Sequence, residues 1–159
     1  GEKYYFDSTG YRHIGWLYLN QTYYYFDLST GILKTGWVKS GKYWYYMNEK
    51  GIMQTGWREI DDKWYYLNSS GMMQTGWLYH KQKWYYLNIS GLMQTGWVKD
   101  DGNWYYMDLE TGALFTGWHE ISGKWYYFHE EGDGFKGTLM VNCETPDGYT
   151  VDVNGALVE

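Results

Sequence analysis

Aromatic side chains recur at fixed positions along this chain, and their ring faces could bind a cation. A Gly-Trp pair occurs six times, at Gly15-Trp16, Gly36-Trp37, Gly56-Trp57, Gly76-Trp77, Gly96-Trp97 and Gly117-Trp118. Seven residues after each Trp comes a second aromatic residue followed by Tyr-Tyr: Tyr23, Trp44, Trp64, Trp84, Trp104 or Trp125. Aromatic faces carry partial negative charge and attract a cation by about 0.5–2 kcal/mol per ring. The chain therefore repeats one candidate cation-binding group along most of its length.

The spacing of the Gly-Trp pairs predicts the elements that position these rings. Successive pairs are 21, 20, 20, 20 and 21 residues apart, a period typical of stacked supersecondary units. In the unit that begins at Gly36, residues 36–39 favour a strand, Ser40-Gly41 a turn, and residues 43–47 a returning strand. A connector then leads to the next pair. We predict an all-β solenoid of stacked β-hairpins with about 20 residues per repeat.

The gap between the two aromatic positions sets the face on which each ring lies. If the hairpin loop has an even number of residues, Trp37 is expected directly opposite Trp44, on the same face. Tyr45 follows Trp44 in the strand and therefore points to the other face. When hairpins stack, the ring pair of one repeat should meet the Tyr of the next. We call this three-walled arrangement an aromatic box. The two longer spacings place one extra residue in a connector, which leaves the aromatic register unchanged.

The C-terminal end departs from the repeat. Gly137-Thr138 stands 20 residues after Gly117, where a further Gly-Trp pair would fall. Solenoid ends need capping units without the inner pattern, and Tyr149 still takes the place that Tyr45 has in its repeat. We predict hairpin repeats over residues 1–136, a partial repeat followed by six Gly-Trp repeats, and a C-terminal capping hairpin over residues 137–159.

Composition limits the classes of function. Aromatic residues make up 23% of the chain and proline occurs once, which excludes a disordered chain. The net charge of −6 argues against a nucleic-acid binder, which needs a basic face. No apolar run is long enough for a membrane span. Because residues 4–7 resemble residues 24–27, the chain opens inside a repeat, and we expect a fragment of a longer protein.

The polar residues predict no catalytic centre. The four histidines share no position in the repeat and form no HExxH motif: His13, His80, His119 and His129. Carboxylates cluster in hairpin turns, where solvated turn chemistry explains them. Cys143 is the only cysteine, so an intramolecular disulfide and a cysteine-based zinc cluster are excluded. We expect no enzyme activity, no metal and no cofactor.

The repeat resembles the choline-binding (cell-wall-binding) repeat of Gram-positive bacterial surface proteins and murein hydrolases. The motif Gly-Trp-x6-Trp-Tyr-Tyr-(Leu/Met)-Asn-x2-Gly-x-Met-x-Thr-Gly-Trp carries the likeness, and residues 51–57 and 91–97 match it closely. The resemblance implies a left-handed superhelix in which choline lies between consecutive repeats. Two aromatic residues of one hairpin and one of the next would hold it, often with a Met or Leu.

Carried onto this sequence, the resemblance implies up to six choline-binding boxes. The complete sets are Trp37, Trp44 and Tyr65; Trp57, Trp64 and Tyr85; Trp77, Trp84 and Tyr105; and Trp97, Trp104 and Tyr126. A fifth set has Tyr in place of one Trp: Trp16, Tyr23 and Tyr45. A sixth set crosses a stretch three residues longer than the usual 21: Trp118, Trp125 and Tyr149. The side chains implied to close the middle boxes are Met53, Met73 and Met93, with Leu33 and Leu114 at that position elsewhere.

The resemblance also implies a role. The chain would be a non-catalytic module of a secreted protein that attaches non-covalently to phosphocholine-decorated teichoic and lipoteichoic acids of the bacterial cell surface. A catalytic domain such as a murein hydrolase would lie elsewhere in the parent protein, and a homodimer through a terminal hairpin is compatible with the family. The alternative is a carbohydrate-binding repeat domain for glucans or toxin-receptor glycans, since related repeats bind sugars on aromatic platforms. The paired Trp rings with a Tyr favour a compact cation.

Overall fold

Consecutive antiparallel hairpins make up the fold. The computed structural model describes residues 1–130 and 136–158. These residues contain fourteen strands in seven hairpins and no helix, so the predicted all-β hairpin repeat is confirmed. The strands are β1 Gly15–Leu19, β2 Thr22–Phe26, β3 Gly36–Ser40, β4 Tyr43–Met47, β5 Gly56–Ile60, β6 Lys63–Leu67, β7 Gly76–His80, β8 Lys83–Leu87, β9 Gly96–Asp100, β10 Asn103–Met107, β11 Gly117–Ile121, β12 Lys124–Phe128, β13 Cys143–Glu144 and β14 Thr150–Val151.

Two-residue turns close the hairpins whose strands have five residues. Asn20 and Gln21 both have positive φ, 50° and 62°, as a type I′ turn requires. In the turn Gly41-Lys42 only the glycine has a positive φ, 59°, as in a type II′ turn. Both turn types twist in the same sense as the strands they join. They therefore hold the flanking strands in one register, in which Trp37 pairs with Tyr46.

A connector joins each hairpin to the next and carries a turn of its own. Asn48 Oδ1 accepts the backbone N–H of Lys50 at 2.9 Å, and Met47 forms a β-bridge with Met53. The connector that begins at Asp27 has one residue more, yet β3 and β4 pair in the same register as β5 and β6. The prediction that the extra residue leaves the register unchanged is confirmed.

The hydrophobic core contains the residue that follows each aromatic triplet. The chain forms two compact units, Gly1–Thr75 with Ile89–Leu92, and Gly76–Asn88 with Met93–Glu159. In the first unit the fully buried side chains of this type are Met47 and Leu67. In the second they are Leu87, Met107 and Phe128, and the capping hairpin adds the buried Val151. Because this position is apolar in every repeat, each hairpin contributes one side chain to the interior, while the first ring of the triplet lies nearer the surface, as in Trp44 and Trp104.

The spacing predicted that Gly137 takes the place of a Gly-Trp glycine. The structure shows instead that it is a connector glycine. Its N–H donates to the carbonyl oxygen of His129 at 2.7 Å, its φ is 79°, and a Cβ on it would lie 2.5 Å from Leu114 Cδ2. The other connector glycines have this geometry, so the spacing of 20 residues reflects a longer connector. The hairpin of β13 and β14 follows it. Residues 131–135 of the predicted repeat region and Glu159 of the predicted cap lie outside the described residues.

Across residues 1–130 and 136–158, no helix has the length and apolar character needed to cross a membrane.

Candidate ligand-binding site

The two rings of each hairpin lie on one face but are not directly opposite each other. Trp37 pairs with Tyr46, and Trp44 pairs with Lys39. The prediction that Trp37 faces Trp44 is wrong, because the two-residue turn is centred one residue later than that pairing needs. An even loop is compatible with both registers, and both keep the two rings on one face. The rings therefore occupy diagonal positions across the hairpin.

Diagonal placement turns the two rings into a corner. The centroids of Trp57 and Trp64 are 6.4 Å apart with an interplanar angle of 73°. The corresponding values are 6.4 Å and 83° for Trp77 and Trp84, 6.1 Å and 89° for Trp97 and Trp104, and 6.4 Å and 84° for Trp16 and Tyr23. Edge-to-face contact is a favourable arrangement of aromatic quadrupoles. It also leaves the face of one ring open toward the concave side of the corner.

A tyrosine of the next hairpin forms the third wall. Because β-strand side chains alternate, the first Tyr of each Tyr-Tyr pair points away from its own ring pair and toward the preceding hairpin. The ring centroids are 4.8 Å apart for Trp37 and Tyr65, 4.7 Å for Trp77 and Tyr105, 5.2 Å for Trp97 and Tyr126, and 4.7 Å for Trp16 and Tyr45. The two hairpins in each pair thus share one aromatic cluster.

Two of the six predicted sets differ from the others in where their third residue lies. Tyr149 of the cap reaches Trp118, with centroids 5.9 Å apart, so the longer stretch of chain before it does not prevent the contact. Tyr85 belongs to the second unit, whereas Trp57 and Trp64 belong to the first. That set stays a prediction.

An aliphatic side chain forms a fourth wall. A cavity of about 430 Å³ in the first unit is lined by Trp37, Trp44, Tyr65 and Met73, with Ile89 and Ser90 at its edge. The backbone N–H of Met73 donates to the carbonyl oxygen of Trp44 at 2.8 Å, which holds the thioether beside the ring. Met73 comes from the connector that follows Tyr65. Each box therefore combines residues from more than two segments of the chain.

The second unit repeats this arrangement with a leucine that sequence reasoning missed. A cavity of about 390 Å³ is lined by Trp97, Trp104, Tyr126 and Leu139. The N–H of Leu139 donates to the carbonyl oxygen of Trp104 at 2.8 Å, as that of Met73 does to Trp44. Leu139 could have been found from the glycine two residues before it, which precedes every connector Met or Leu by the same distance.

The same hydrogen bond, from a connector N–H to the carbonyl oxygen of the second aromatic residue of a hairpin, positions further connector side chains beside their boxes. Met53 donates its N–H to Tyr23 at 2.9 Å, Leu114 to Trp84 at 2.9 Å and Leu157 to Trp125 at 2.8 Å. Met53 is therefore beside the box of Trp16 rather than a middle box. Met93, in the second unit, packs against Gly112, where an added Cβ would lie 2.6 Å from its Sδ.

Models of the choline-binding repeat match residues 54–89, 80–116 and 115–157, and models of the cell wall binding repeat match residues 1–12, 14–32 and 35–53. The chain belongs to the choline-binding repeat family. A comparison with curated protein sequences gives no match.

Solved structures of choline-binding proteins share the fold. Choline-binding protein F from Streptococcus pneumoniae, solved with a tetrasaccharide-pentapeptide analogue of peptidoglycan, is 40% identical over 100% of this chain with a TM-score of 0.89. CbpF in complex with ipratropium is 40% identical over 94% of this chain and 50% of its own, with a TM-score of 0.83. The phage Cp-1 endolysin complexed with choline is 33% identical over 87% of this chain and 40% of its own, with a TM-score of 0.54. The chain spans 55% of the length of choline-binding protein F.

Polar groups outside the boxes hold several Trp rings of this choline-binding repeat domain in place. The indole N–H of Trp16 donates to Ser40 Oγ at 3.0 Å, and that of Trp77 donates to Asp100 Oδ2 at 2.9 Å. Asp100 Oδ1 also accepts the hydroxyl of Tyr86 at 3.0 Å. Each acceptor ends the first strand of the next hairpin. These bonds therefore orient the ring and join consecutive hairpins at once.

The carboxylate of Asp100 also gives one box an anionic neighbour. Burial raises the pKa of Tyr105, and the charges of Asp100 and Asp101 raise it further. The pKa of Tyr86 is raised by burial and then by its hydrogen bond to Asp100. Both phenols stay neutral at physiological pH, so the rings keep their partial negative faces while a full negative charge lies nearby.

The site is suited to an alkylated cation. A quaternary ammonium has no N–H to donate, and the box walls are aromatic and aliphatic. The rings already attract cations within the chain: Lys39 Nζ lies 5.9 Å from the centroid of Trp44, and Lys99 Nζ lies 5.5 Å from that of Trp104. Over residues 1–130 and 136–158, no group of three or more His, Cys, Asp or Glu is arranged to hold a metal ion.

Proposed function

We propose that this chain anchors a larger protein non-covalently to the bacterial cell wall by binding the choline residues of teichoic and lipoteichoic acids. The observation that carries the proposal is the box itself: a corner of two rings, a Tyr of the next hairpin and a connector Met or Leu, as in the set of Trp97, Trp104, Tyr126 and Leu139. Such walls attract a trimethylammonium group by cation–π interaction and bury its methyl groups. The phage Cp-1 endolysin, a relative, has been solved with choline.

Affinity is expected to come from the number of boxes. Each aromatic wall contributes about 0.5–2 kcal/mol, and association has its own entropic cost. A single box should therefore bind choline with a Kd of about 1 mM, near −4 kcal/mol. A polymer that carries many cholines can occupy several boxes at once, which adds about 10²–10⁴ in avidity. The repeat number thus has a functional reason.

The proposal extends to the parent protein. The module is non-catalytic, needs no cofactor and serves a protein located at the cell surface, whose catalytic activity, such as murein hydrolysis, belongs to another domain. Pairing of two copies through a terminal hairpin is the partner arrangement that the family likeness implies, and sedimentation analysis tests it. Wall lysis by this chain alone would contradict the non-catalytic role.

Calorimetry with choline and with soluble glucans tests the proposed ligand. We expect several choline sites with a Kd of about 1 mM and a melting temperature that rises with choline concentration, since choline should bind only the folded hairpins. Glucan binding without any response to choline would refute the proposal in favour of the carbohydrate alternative.

One pair of variants tests the boxes directly. Trp44→Ala removes one wall of the box that contains Trp37, Tyr65 and Met73, while Tyr43→Ala removes the neighbouring ring on the other face of the strand. Both side chains are 41% exposed, so both variants should fold. We expect Trp44→Ala to lose one choline site and Tyr43→Ala to keep all of them. Equal choline stoichiometry in the two variants would contradict the assignment of Trp44.

A further inference from the structure

We infer that the outer edge of the boxes of Trp37 and Trp97, contributed in each case by the connector two hairpins further along the chain, determines which quaternary ammonium the box prefers. We call this edge the lip. It is formed by Ile89 and Ser90 at the box of Trp37, and by Val153 and Asn154 at the box of Trp97. Boxes with an apolar lip favour a cation that carries an apolar arm over one that carries only methyl groups. This inference rests on the proposed function and specifies its ligand class.

The lip is tied to the box by a close backbone contact. A Cβ on Gly91, the second residue after Ile89, would lie 2.5 Å from Met73 Sδ. A Cβ on Gly155, the second residue after Val153, would lie 2.8 Å from Leu139 Cδ2. Each lip turn therefore rests directly on the aliphatic wall of its box. Two boxes in different parts of the chain show the same arrangement.

The lip residues vary in polarity, whereas the walls stay aromatic or apolar. The position of Ile89 and Val153 is taken by Glu49 and Ser69 in other connectors, in turns of the same form. The hydrogen bonds of these turns come from the preceding Asn or Asp, which accepts the N–H of the residue after the lip position: Asn68 Oδ1 bonds Ser70 at 2.9 Å, and Asp152 Oδ1 bonds Asn154 at 2.8 Å. The turn therefore does not require a particular side chain at the lip.

Exposure indicates that the apolar lip residues lack a structural role. Ile89 is 94% exposed and Val153 is 73% exposed, although both side chains are apolar. The packing of the protein gains little from either residue in this state. Both line the cavity of their box, so an apolar ligand arm that extends beyond the walls toward them would cover them.

The serine at position 69 provides an internal comparison. A Cβ on Gly71 would lie 2.4 Å from Met53 Sδ, and Met53 donates its N–H to Tyr23. By the same geometry, Ser69 is the lip of the box formed by Trp16, Tyr23 and Tyr45. One chain thus carries an apolar lip and a hydroxyl lip over similar walls.

Titration of the full chain with two probes tests the inference. Tetramethylammonium tests binding to the walls alone, whereas benzyltrimethylammonium also carries an apolar arm that can contact the lip. The indole N–H signals of Trp16 and Trp37 in NMR spectra report binding at each of the two boxes separately. In Ile89→Ser we expect benzyltrimethylammonium to bind about five-fold more weakly at Trp37, the change that follows if about 40 Å² of apolar surface returns to water at about 25 cal/mol per Å². Tetramethylammonium should change by less than about two-fold there.

The reciprocal variant and the controls make the outcomes distinct. Ser69→Ile should strengthen benzyltrimethylammonium at Trp16 by about the same factor, since it adds the same apolar contact. If Ile89→Ser weakens both probes equally, or neither, the lip does not determine preference and the inference fails while the proposed function stands. If tetramethylammonium shifts no indole signal of the unmodified chain, the proposed function itself fails.

Discussion

Replacing Gly91 by alanine tests how closely the connectors pack against the boxes. Gly91 has a φ of 78°, and an added Cβ would lie 2.5 Å from Sδ of Met73 and 2.9 Å from its Cε and Cγ. Alanine therefore meets two separate penalties at this site. It must adopt a left-handed backbone conformation, and it must displace a side chain that lines a box.

The two penalties have different sizes. A left-handed conformation costs a residue with a Cβ about 1–2 kcal/mol. Overpacking costs about 1–3 kcal/mol, and because the Met thioether is flexible we expect about 1 kcal/mol here. The free energy of unfolding should fall by about 2–3 kcal/mol in total. For a chain of this size, the melting temperature should fall by about 4–12 °C.

Gly102→Ala is the matched control. Gly102 has a φ of 81°, and a Cβ on it would have nothing within 4 Å, so it carries the backbone penalty alone. Thermal unfolding followed by circular dichroism should show Gly91→Ala about 1 kcal/mol less stable than Gly102→Ala. Choline binding at Trp37 should weaken only in Gly91→Ala, because only that substitution displaces Met73. Equal loss of stability and equal choline binding in the two variants would refute the reasoning.

Two further predictions concern the carboxylates. Asp100→Asn should lower the stability by about 1–2 kcal/mol and weaken choline binding at the box of Trp77, because one amide oxygen cannot replace two charged acceptors. Thermal unfolding measures the stability, and calorimetry measures the choline affinity. Unchanged choline affinity at that box would contradict the role of the Asp100 charge in binding. The pKa values of Asp27 and Asp108 are both lowered from 3.8. The main cause is the hydroxyl of Ser29 for Asp27 and the backbone N–H of Thr111 for Asp108. The two carboxylates therefore contribute stability above about pH 4, and this contribution is lost as the pH falls through their lower folded pKa values. Asparagine stands at this position in other connectors, so a double Asp27→Asn, Asp108→Asn variant should lose less stability between pH 5 and pH 2 than the unmodified chain; an identical acid dependence of the melting temperature would argue against this role.

Much of the fold could be predicted from local pattern. The runs of aromatic residues in segments such as 43–47, and the Gly or Asx residues between such segments, limit the chain to short strands and tight turns. Side chains alternate along an extended strand, so Tyr45 must point away from the face of Trp44. With an even hairpin loop, Trp37 shares that face with Trp44, and neither statement needs tertiary information.

The register of the hairpins was harder to predict from the sequence. Trp37 could pair with either residue 44 or residue 46 without changing faces, and only the backbone conformation of the turn at 41–42 decides between them. The spacing of Gly137 was misleading for a similar reason. The 20 residues from Gly117 to Gly137 fit either a repeat that has lost its Trp or a longer connector, so the spacing alone does not distinguish the two.

The strand pattern, the repeat and the set of aromatic side chains that share a face follow from the sequence, because these depend on neighbours a few residues apart. The packing of the hairpins specifies that the paired rings form a perpendicular corner, which box Met73 closes, that Leu139 is a fourth wall, and that Ile89 and Val153 form lips. These contacts join residues from three successive repeats. Their partners depend on how the hairpins stack, and no local pattern within one repeat encodes that stacking.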